Sequence, residues 1–340
     1  MRHGHRLCLS LIAAGSLLAA ASGASALDTQ DPAVAGFIDR MVAREGCDPG
    51  TLRRILGAAR LEPSILAAME RPAEKVLPWY RYRPIFVNER RIQEGVDFWI
   101  AHRRELRLAS ERTGVAPQYL VAILGVETYY GRLTGGYRVI DALATLSFDY
   151  PPRAAFFRTQ LEQFLLLARD HDFDPLEVKG SYAGAMGAPQ FMPSTYRRFG
   201  IDATVDGRVD LWSDWPDVFD SIGYYLRENG WIAGGPVLRD AVFDAAVAPE
   251  APTTALGPPT TVAALRTAGV RIADAPGPAN RAWLIGAEQP QGLEWRVGFE
   301  NFYAITRYNR SPLYAMAVHD LAVELRRRVA AAPATNGRTR

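Results

Sequence analysis

Residues 117–131, PQYLVAILGVETYYG, decide the reading of this chain. Pro117 is pre-organised for the first position of a helix. The run after it is apolar nearly all round, and a helix without a polar face belongs in a core. That core helix ends on Glu127. A carboxylate in such a place loses hydration unless it faces a cleft or keeps its proton, and both outcomes raise its pKa. A carboxylic acid still protonated near neutral pH is what a glycosidic general acid requires. The plainer reading, a helix that simply ends in a polar residue pointing to solvent, stands beside it.

Working outward, helical periodicity continues on both sides. Ile92 to Thr113 reads as one long helix with Val96, Trp99, Ile100, Leu106 and Ala109 at helical spacing, stopped by Gly114. Arg153 to Asp170 and Asp217 to Glu228 read as two more, the latter stopped by Asn229-Gly230. Pro312 to Ala330 is a final amphipathic helix with Leu313, Ala317, Leu321 and Leu325 at intervals of four. Between residues 234 and 292, Gly- and Pro-rich punctuation replaces helix periodicity. Trp283 to Ala287 and Trp295 to Thr306 suit short strands there. The expected fold is therefore mainly α with a small β-rich insertion at 234–306, a returning helix at 307–330 and a flexible tail at 331–340. No repeat of 20–50 residues and no appended binding module is apparent.

With 340 residues, 48% of them hydrophobic, the chain is too apolar for disorder and long enough for a large core. Two cysteines exclude a disulfide scaffold or a zinc-finger array. The first 26 residues have the form of an export signal: Arg2 and Arg6 precede an apolar stretch from Leu7 to Ala21, and Ala24-Ser25-Ala26 is a small-x-small cleavage site. A mature chain from Leu27 is expected, soluble and without a membrane span. Cys8 lies before most of the apolar run, which argues against a lipid anchor. That mature chain holds 37 basic and 37 acidic residues, so it lacks the basic excess that nucleic-acid binding uses. Cys47 is left without a partner and reads as an inert thiol, and His102, His171 and His319 show no zinc-ligand spacing.

Two further strings carry chemistry. Residues 181–194, SYAGAMGAPQFMPS, combine neutral polar groups (Ser181, Gln190) with aromatic rings (Tyr182, Phe191) and with glycines that let a ligand approach the backbone. That mixture suits a sugar, and a Gly-rich loop before a helix near Pro193 explains it equally well. In residues 202–213, DATVDGRVDLWS, Asp202, Thr204, Asp206, Arg208 and Asp210 fall at calcium-loop positions 1, 3, 5, 7 and 9, with Gly207 at 6. Position 12 is Ser213 where a bidentate glutamate is usual, so a weak structural calcium site and a metal-free Asp turn are both open.

Taken together, VETYYG, SYAGAMGxxQFMPS, LW, NGW and RYNRSPLYAMAV resemble the membrane-bound lytic murein transglycosylase B family, glycoside hydrolase family 103. The resemblance runs over about residues 30 to 330. It implies a lysozyme-like helical core, at 116–233, behind an N-terminal helical region at 27–115. The implied reaction is non-hydrolytic cleavage of the β-1,4 bond between N-acetylmuramic acid and N-acetylglucosamine in peptidoglycan, leaving 1,6-anhydro-muramic acid ends. Glu127 matches the single catalytic acid/base and Ser181 the contact to the muramyl N-acetyl group. Gln190 and Phe191 match the cleft floor, Tyr308 and Asn309 a polar pair lining the site, and Tyr82 and Tyr225 cleft tyrosines. A periplasmic monomer acting on glycan strands is implied, with other wall enzymes as further partners and no cofactor required for catalysis. The alternatives are a hydrolytic muramidase, for which no motif supplies the second carboxylate, and a non-catalytic peptidoglycan-binding scaffold, which has no need of a buried acid.

Overall fold

In a computed structural model, residues 24–70, 77–171, 173–243 and 256–332 are described. The basic and apolar parts of the export signal and the tail beyond residue 332 lie outside them. The chain divides into two compact units, Met1–Ala73 with Gly131–Asp214, and Glu74–Tyr130 with Trp215–Arg340. Each unit thus takes chain from two separate stretches, and the 27–115 region contributes to both.

In the first unit, the helices Pro32–Glu45 and Pro49–Gly57 start where the sequence supplies caps. Asp31 accepts the Ala33 N–H at 2.8 Å, Asp48 accepts the Thr51 N–H at 2.6 Å, and each is followed by proline at the first helical position. The unit's centre is Val139–Phe148, buried from Val139 to Ser147, packed on Ala154–Asp170. Asp141, in the first turn of Val139–Phe148, is held in a buried ion pair. Arg138 holds it by 2.6 and 2.8 Å bonds, and it accepts the Arg60 N–H at 2.8 Å. A helix covered on every side leaves a carboxylate no water, so a cation must sit beside it. Ser25–Ala26 pairs with Arg60–Leu61 in a two-residue antiparallel ladder, which cleavage after Ala26 would remove.

In the second unit, Pro117–Thr128 packs on Pro312–Ala331, both largely buried. The sequence pattern of one helix from Ile92 to Thr113 resolves into two, Glu89–Ala101 and Arg103–Thr113. The break is His102 at φ −110°, ψ 26°, whose ring packs on Phe98 at 4.6 Å and Trp215 at 5.2 Å. Apolar spacing survives a one-residue kink, which is why periodicity alone did not reveal it. Beyond Gly234 a five-stranded antiparallel sheet runs in the order Thr260–Thr261, Arg281–Gln289, Gly292–Gly298, Leu238–Phe243, Val270–Ile272. Its own small core is Ala241, Val262, Leu265, Val270, Ala282, Val297 and Phe299. The strand expected from Trp295 to Thr306 stops at Gly298, and Glu300–Tyr308 is a helix. Its buried residues, Asn301, Phe302, Ala304, Ile305 and Thr306, follow helical spacing. The chain is mainly α with one small β-rich part.

Candidate active site

Glu127 sits half-buried in the last turn of Pro117–Thr128. The helix is stopped by three successive left-handed residues, Tyr129 (φ 53°), Tyr130 (φ 62°) and Gly131 (φ 81°). Two are tyrosines, and the conformation costs each about 1 kcal/mol or more, so other contacts must hold them. Tyr130 donates its N–H to the Leu124 carbonyl at 3.0 Å and its hydroxyl to the Arg91 carbonyl at 2.8 Å. Its ring lies across two glycines. A Cβ on Gly125 would come within 2.8 Å of the ring, and one on Gly95 within 2.3 Å of the hydroxyl oxygen. The buried guanidinium of Arg91 lies 4.6 Å from the Tyr129 ring centre, a cation–π contact that fixes the second tyrosine.

Side chains from distant parts of the unit meet this carboxylate. Tyr314, in the first turn of Pro312–Ala331, donates its hydroxyl to Glu127 Oε1 at 2.6 Å. Tyr308 stacks on Tyr314, with ring centres 6.5 Å apart and planes 12° from parallel. Tyr225 meets Tyr308 edge-on at 5.0 Å and donates to the Arg307 carbonyl at 2.5 Å. The Tyr308 and Tyr314 hydroxyls are held well above the ordinary phenol pKa, first by loss of water and then by the negative charge of Glu127. Both therefore stay protonated across any working pH. Burial also pushes Tyr225 up, to about 12.

Of the residues singled out in this unit, Glu127, Tyr225 and Tyr308 are brought together. Asn309 follows directly, its side chain accepting the Ser311 N–H at 3.0 Å ahead of the last helix. Tyr82 is only 2% exposed, packed on Trp79 and Phe86, and its contribution reaches Tyr314 electrostatically. Tyr314 itself was missed. It lies inside the RYNRSPLYAMAV string, where its spacing reads as one more core position of an amphipathic helix. Its partner is 187 residues away, and nothing local marks the contact.

The first unit carries the Ser181 loop. Ser181 accepts Ala185's backbone N–H at 3.0 Å and Ala183's at 3.3 Å on its Oγ. Two acceptances use both lone pairs and leave the O–H as a donor. Met186 and Phe191 exchange backbone bonds of 2.9 and 3.0 Å, closing the loop. Gln190, at φ 53°, donates its side-chain amide to the Gly187 carbonyl at 2.9 Å and the Thr134 carbonyl at 3.1 Å, which leaves its own amide oxygen as the acceptor. The glycines serve packing within the protein: a Cβ on Gly184 would lie 2.5 Å from Leu143, and one on Gly187 2.5 Å from the Leu211 carbonyl. Phe191 is 2% exposed whereas Tyr182 is 38% exposed. Of the two rings, Tyr182 is the one that presents a face to solvent.

The acidic loop of the same unit is folded on itself. Asp202 accepts the N–H groups of Asp206 (3.1 Å) and Gly207 (2.8 Å), and Asp206 accepts that of Arg208 (2.9 Å). Asp210 takes the N–H of Trp212 and the hydroxyl of Ser213. Thr204 donates toward Asp202 and Asp214 at 3.5 and 3.4 Å. Among the described residues no group of three or more His, Cys, Asp or Glu stands ready to hold a metal. A cation here would share carboxylates that already accept hydrogen bonds from their own turn.

The family model described as "Transglycosylase SLT domain" matches residues 29–323. The chain is 41% identical to the membrane-bound lytic murein transglycosylase B of Escherichia coli over 300 residues, 86% of this chain and 82% of that protein. The crystal structure of the soluble lytic transglycosylase SltB1 of Pseudomonas aeruginosa superposes with a TM-score of 0.84 at 44% identity, covering 88% of this chain and all of that one. The Escherichia coli lytic transglycosylase Slt35, solved in complex with calcium, gives 0.82 at 38% identity, covering 90% and 97%. The helical core is thus the lysozyme-like one of these structures, and the chain belongs to the lytic murein transglycosylase B family, with its transglycosylase SLT domain.

Proposed function

We propose that this protein is a peptidoglycan lytic transglycosylase, cleaving the β-1,4 bond between N-acetylmuramic acid and N-acetylglucosamine without water and leaving a 1,6-anhydro-muramic acid end. The observation that carries the reading is Glu127 at the end of a buried helix, with Tyr314 donating to one of its two oxygens. That bond holds Oε1 as an acceptor and orients the carboxyl group that carries the transferable proton. Glu127 protonates the glycosidic oxygen as the bond to the muramyl C1 breaks, and the substrate's own acetamido oxygen stabilises the oxocarbenium-like centre. The ionised Glu127 then takes the proton from the muramyl O6, which bonds to C1. Atoms balance with no water consumed, and no second protein carboxylate is needed.

Ser181 is assigned the acetamido group, because its O–H, which donates to no partner among the described residues, is a donor of the kind that group's carbonyl accepts. Gln190 and Asn309 are assigned sugar hydroxyls, and Tyr82, Tyr225, Tyr308 and Phe191 the walls of their respective units. Catalysis requires no cofactor in this scheme; calcium at Asp202–Asp210 would be weak and structural. The protein acts on glycan strands after export to the periplasm, with cleavage near Ala26. Among the described residues no helix is long and apolar enough to cross a membrane.

Mass analysis of muropeptides released from purified sacculi tests the reading. Anhydro ends, lighter by one water than hydrated ends, are expected. Hydrated reducing ends would establish a muramidase instead, and retention on sacculi with no release would establish a binding scaffold.

A further inference from the structure

Arg91 is 3% exposed in the first turn of the helix Glu89–Ala101, and it makes no ion pair among the described residues. Its neighbour Glu94 is bonded to Arg90 at 3.0 Å. The guanidinium has one hydrogen bond among the described residues, from Nη1 to the Ile85 carbonyl at 3.2 Å, and its buried Nε has none. Two rings lie against it, with centres 5.3 Å (Phe86) and 4.6 Å (Tyr129) from its central carbon. A buried charge without a counter-ion costs stability, and an apolar side chain of that length would fill the place at less cost. Stability alone does not account for an arginine here.

What the guanidinium touches is the turn that follows Glu127. Tyr129 and Tyr130 come directly after the end of the core helix, at φ 53° and 62°, a backbone region that strains a tyrosine. Arg91 holds both, one with its side chain and one with its main chain. Its guanidinium lies over the Tyr129 ring, and its carbonyl accepts the Tyr130 hydroxyl at 2.8 Å. Arg91 is itself fixed. Asn88 Oδ1 accepts its N–H at 3.0 Å, and the Asn88 amide donates to the Pro84 and Ile85 carbonyls at 3.2 and 3.3 Å. Those carbonyls belong to Trp79–Phe86, the helix that carries Tyr82. A planar guanidinium can stack on a ring and still reach a carbonyl with an edge N–H, which an ammonium does less well. With Glu127 as the acid of the reaction proposed above, on which this rests, we infer that Arg91 is a positioning residue: acting through Tyr129, it holds the end of the core helix so that the Glu127 carboxyl keeps its direction.

Steady-state kinetics on purified glycan strands with Arg91→Met, Tyr129→Leu and the double variant test it. Arg91→Met keeps the length of the side chain and leaves in place the carbonyl that holds Tyr130. It should lower kcat about 10- to 100-fold, the scale of a misplacement of about 1 Å, with KM within about twofold of wild type. Because Arg91 acts through Tyr129, the double variant should fall no more than about threefold below the worse single variant. Thermal melts establish that each variant is folded at the assay temperature. Wild-type kcat in folded Arg91→Met, a loss carried by KM instead of kcat, or losses that multiply in the double variant would each overturn the proposal. If Arg91→Met does not fold, Tyr129→Leu decides alone: a fall in kcat of about tenfold or more at unchanged KM supports the role, and wild-type kcat overturns it. The reading of Glu127 fails separately, through wild-type turnover in Glu127→Gln.

Discussion

The Glu127 site and the Ser181 loop are assembled in opposite ways. The loop is largely local: most of its bonds join residues within 181–191, with a hydrogen bond from the Gln190 amide to the Thr134 carbonyl and one from the Ala188 N–H to the Leu211 carbonyl. The carboxylate site is assembled from a distance. Glu127 at the end of one buried helix is met by Tyr314 of another, which stacks on Tyr308, which meets Tyr225. A local loop writes its requirements into one string, so a substitution there loosens the loop itself. A dispersed site depends on helix packing, and its members can be changed one at a time with the scaffold intact.

The largest expected effect tests that independence. Glu127→Gln keeps an oxygen to accept the Tyr314 hydroxyl and removes only the exchangeable proton. Turnover on purified sacculi should fall by about 10²–10⁴ or more while binding is largely retained. Wild-type turnover in this variant would remove Glu127 from the chemistry.

The same contrast explains what could be read from the chain in advance. The core helix, its carboxylate end, the Gly-rich loop and the β-rich region beyond Gly234 are all continuous stretches, and periodicity and punctuation reveal such stretches. The kink at His102, the switch from strand to helix after Gly298 and the Tyr314–Glu127 bond depend on partners elsewhere. His102 is set by Trp215, Glu127 by Tyr314, and no window of neighbouring residues contains either pair. The glycines of the Ser181 loop were legible as glycines, but their cause was not. They make room for Leu143 and the Leu211 carbonyl of the protein itself.

Next in size is an acid sensitivity of the scaffold that carries Tyr314. His319, in the same helix, is buried against Tyr119 with a 2.9 Å hydrogen bond, and burial holds its pKa near 4 against about 6.5 in the unfolded chain. Between those values the unfolded chain binds a proton that the folded chain refuses, so stability falls as pH drops from 6.5 toward 4 and is unaffected above. The loss is about 3 kcal/mol by pH 4. Urea melts of wild type and His319→Gln across this window should diverge by that amount, with the variant less pH-dependent. Parallel pH profiles would mean that His319 is charged in the folded protein.

A paired substitution compares the two architectures directly. Tyr314→Phe removes a hydrogen bond to a charged group, about 1.5–3 kcal/mol. It leaves no buried donor unmatched, so activity should fall roughly 10- to 100-fold with little change in melting temperature. Ser181→Ala removes a neutral hydrogen bond of about 1 kcal/mol to the substrate, and it also strips the acceptor from the Ala183 and Ala185 N–H groups. Its activity loss should be smaller than that of Tyr314→Phe and its loss of stability larger. If Tyr314→Phe proves the less stable of the two, or Ser181→Ala leaves both rate and melt unchanged, the distinction between dispersed site and local loop fails.

The smallest effect concerns the acidic loop, the other locally built feature of the first unit. Asp202, Asp206 and Asp210 lie close in sequence, and each already serves backbone N–H groups of its own turn. A cation would share carboxylates already engaged by the turn, and Ser213 stands where a bidentate glutamate would complete the cage. Affinity should therefore lie near 10⁻⁴–10⁻³ M. Binding to the folded state alone adds about 0.4 kcal/mol when free calcium equals the dissociation constant and about 1.4 kcal/mol at ten times that value. Melts with chelator and with about 10 mM calcium at constant ionic strength should show a small rise, and Asp206→Asn should remove it. Activity should persist in chelator, because Glu127 and the substrate's acetamido group complete the reaction. An unmoved midpoint would leave the loop a self-capped, metal-free turn. Abolition of activity by chelator would instead tie the loop to the chemistry and break the separation between a local structural motif and the dispersed catalytic one.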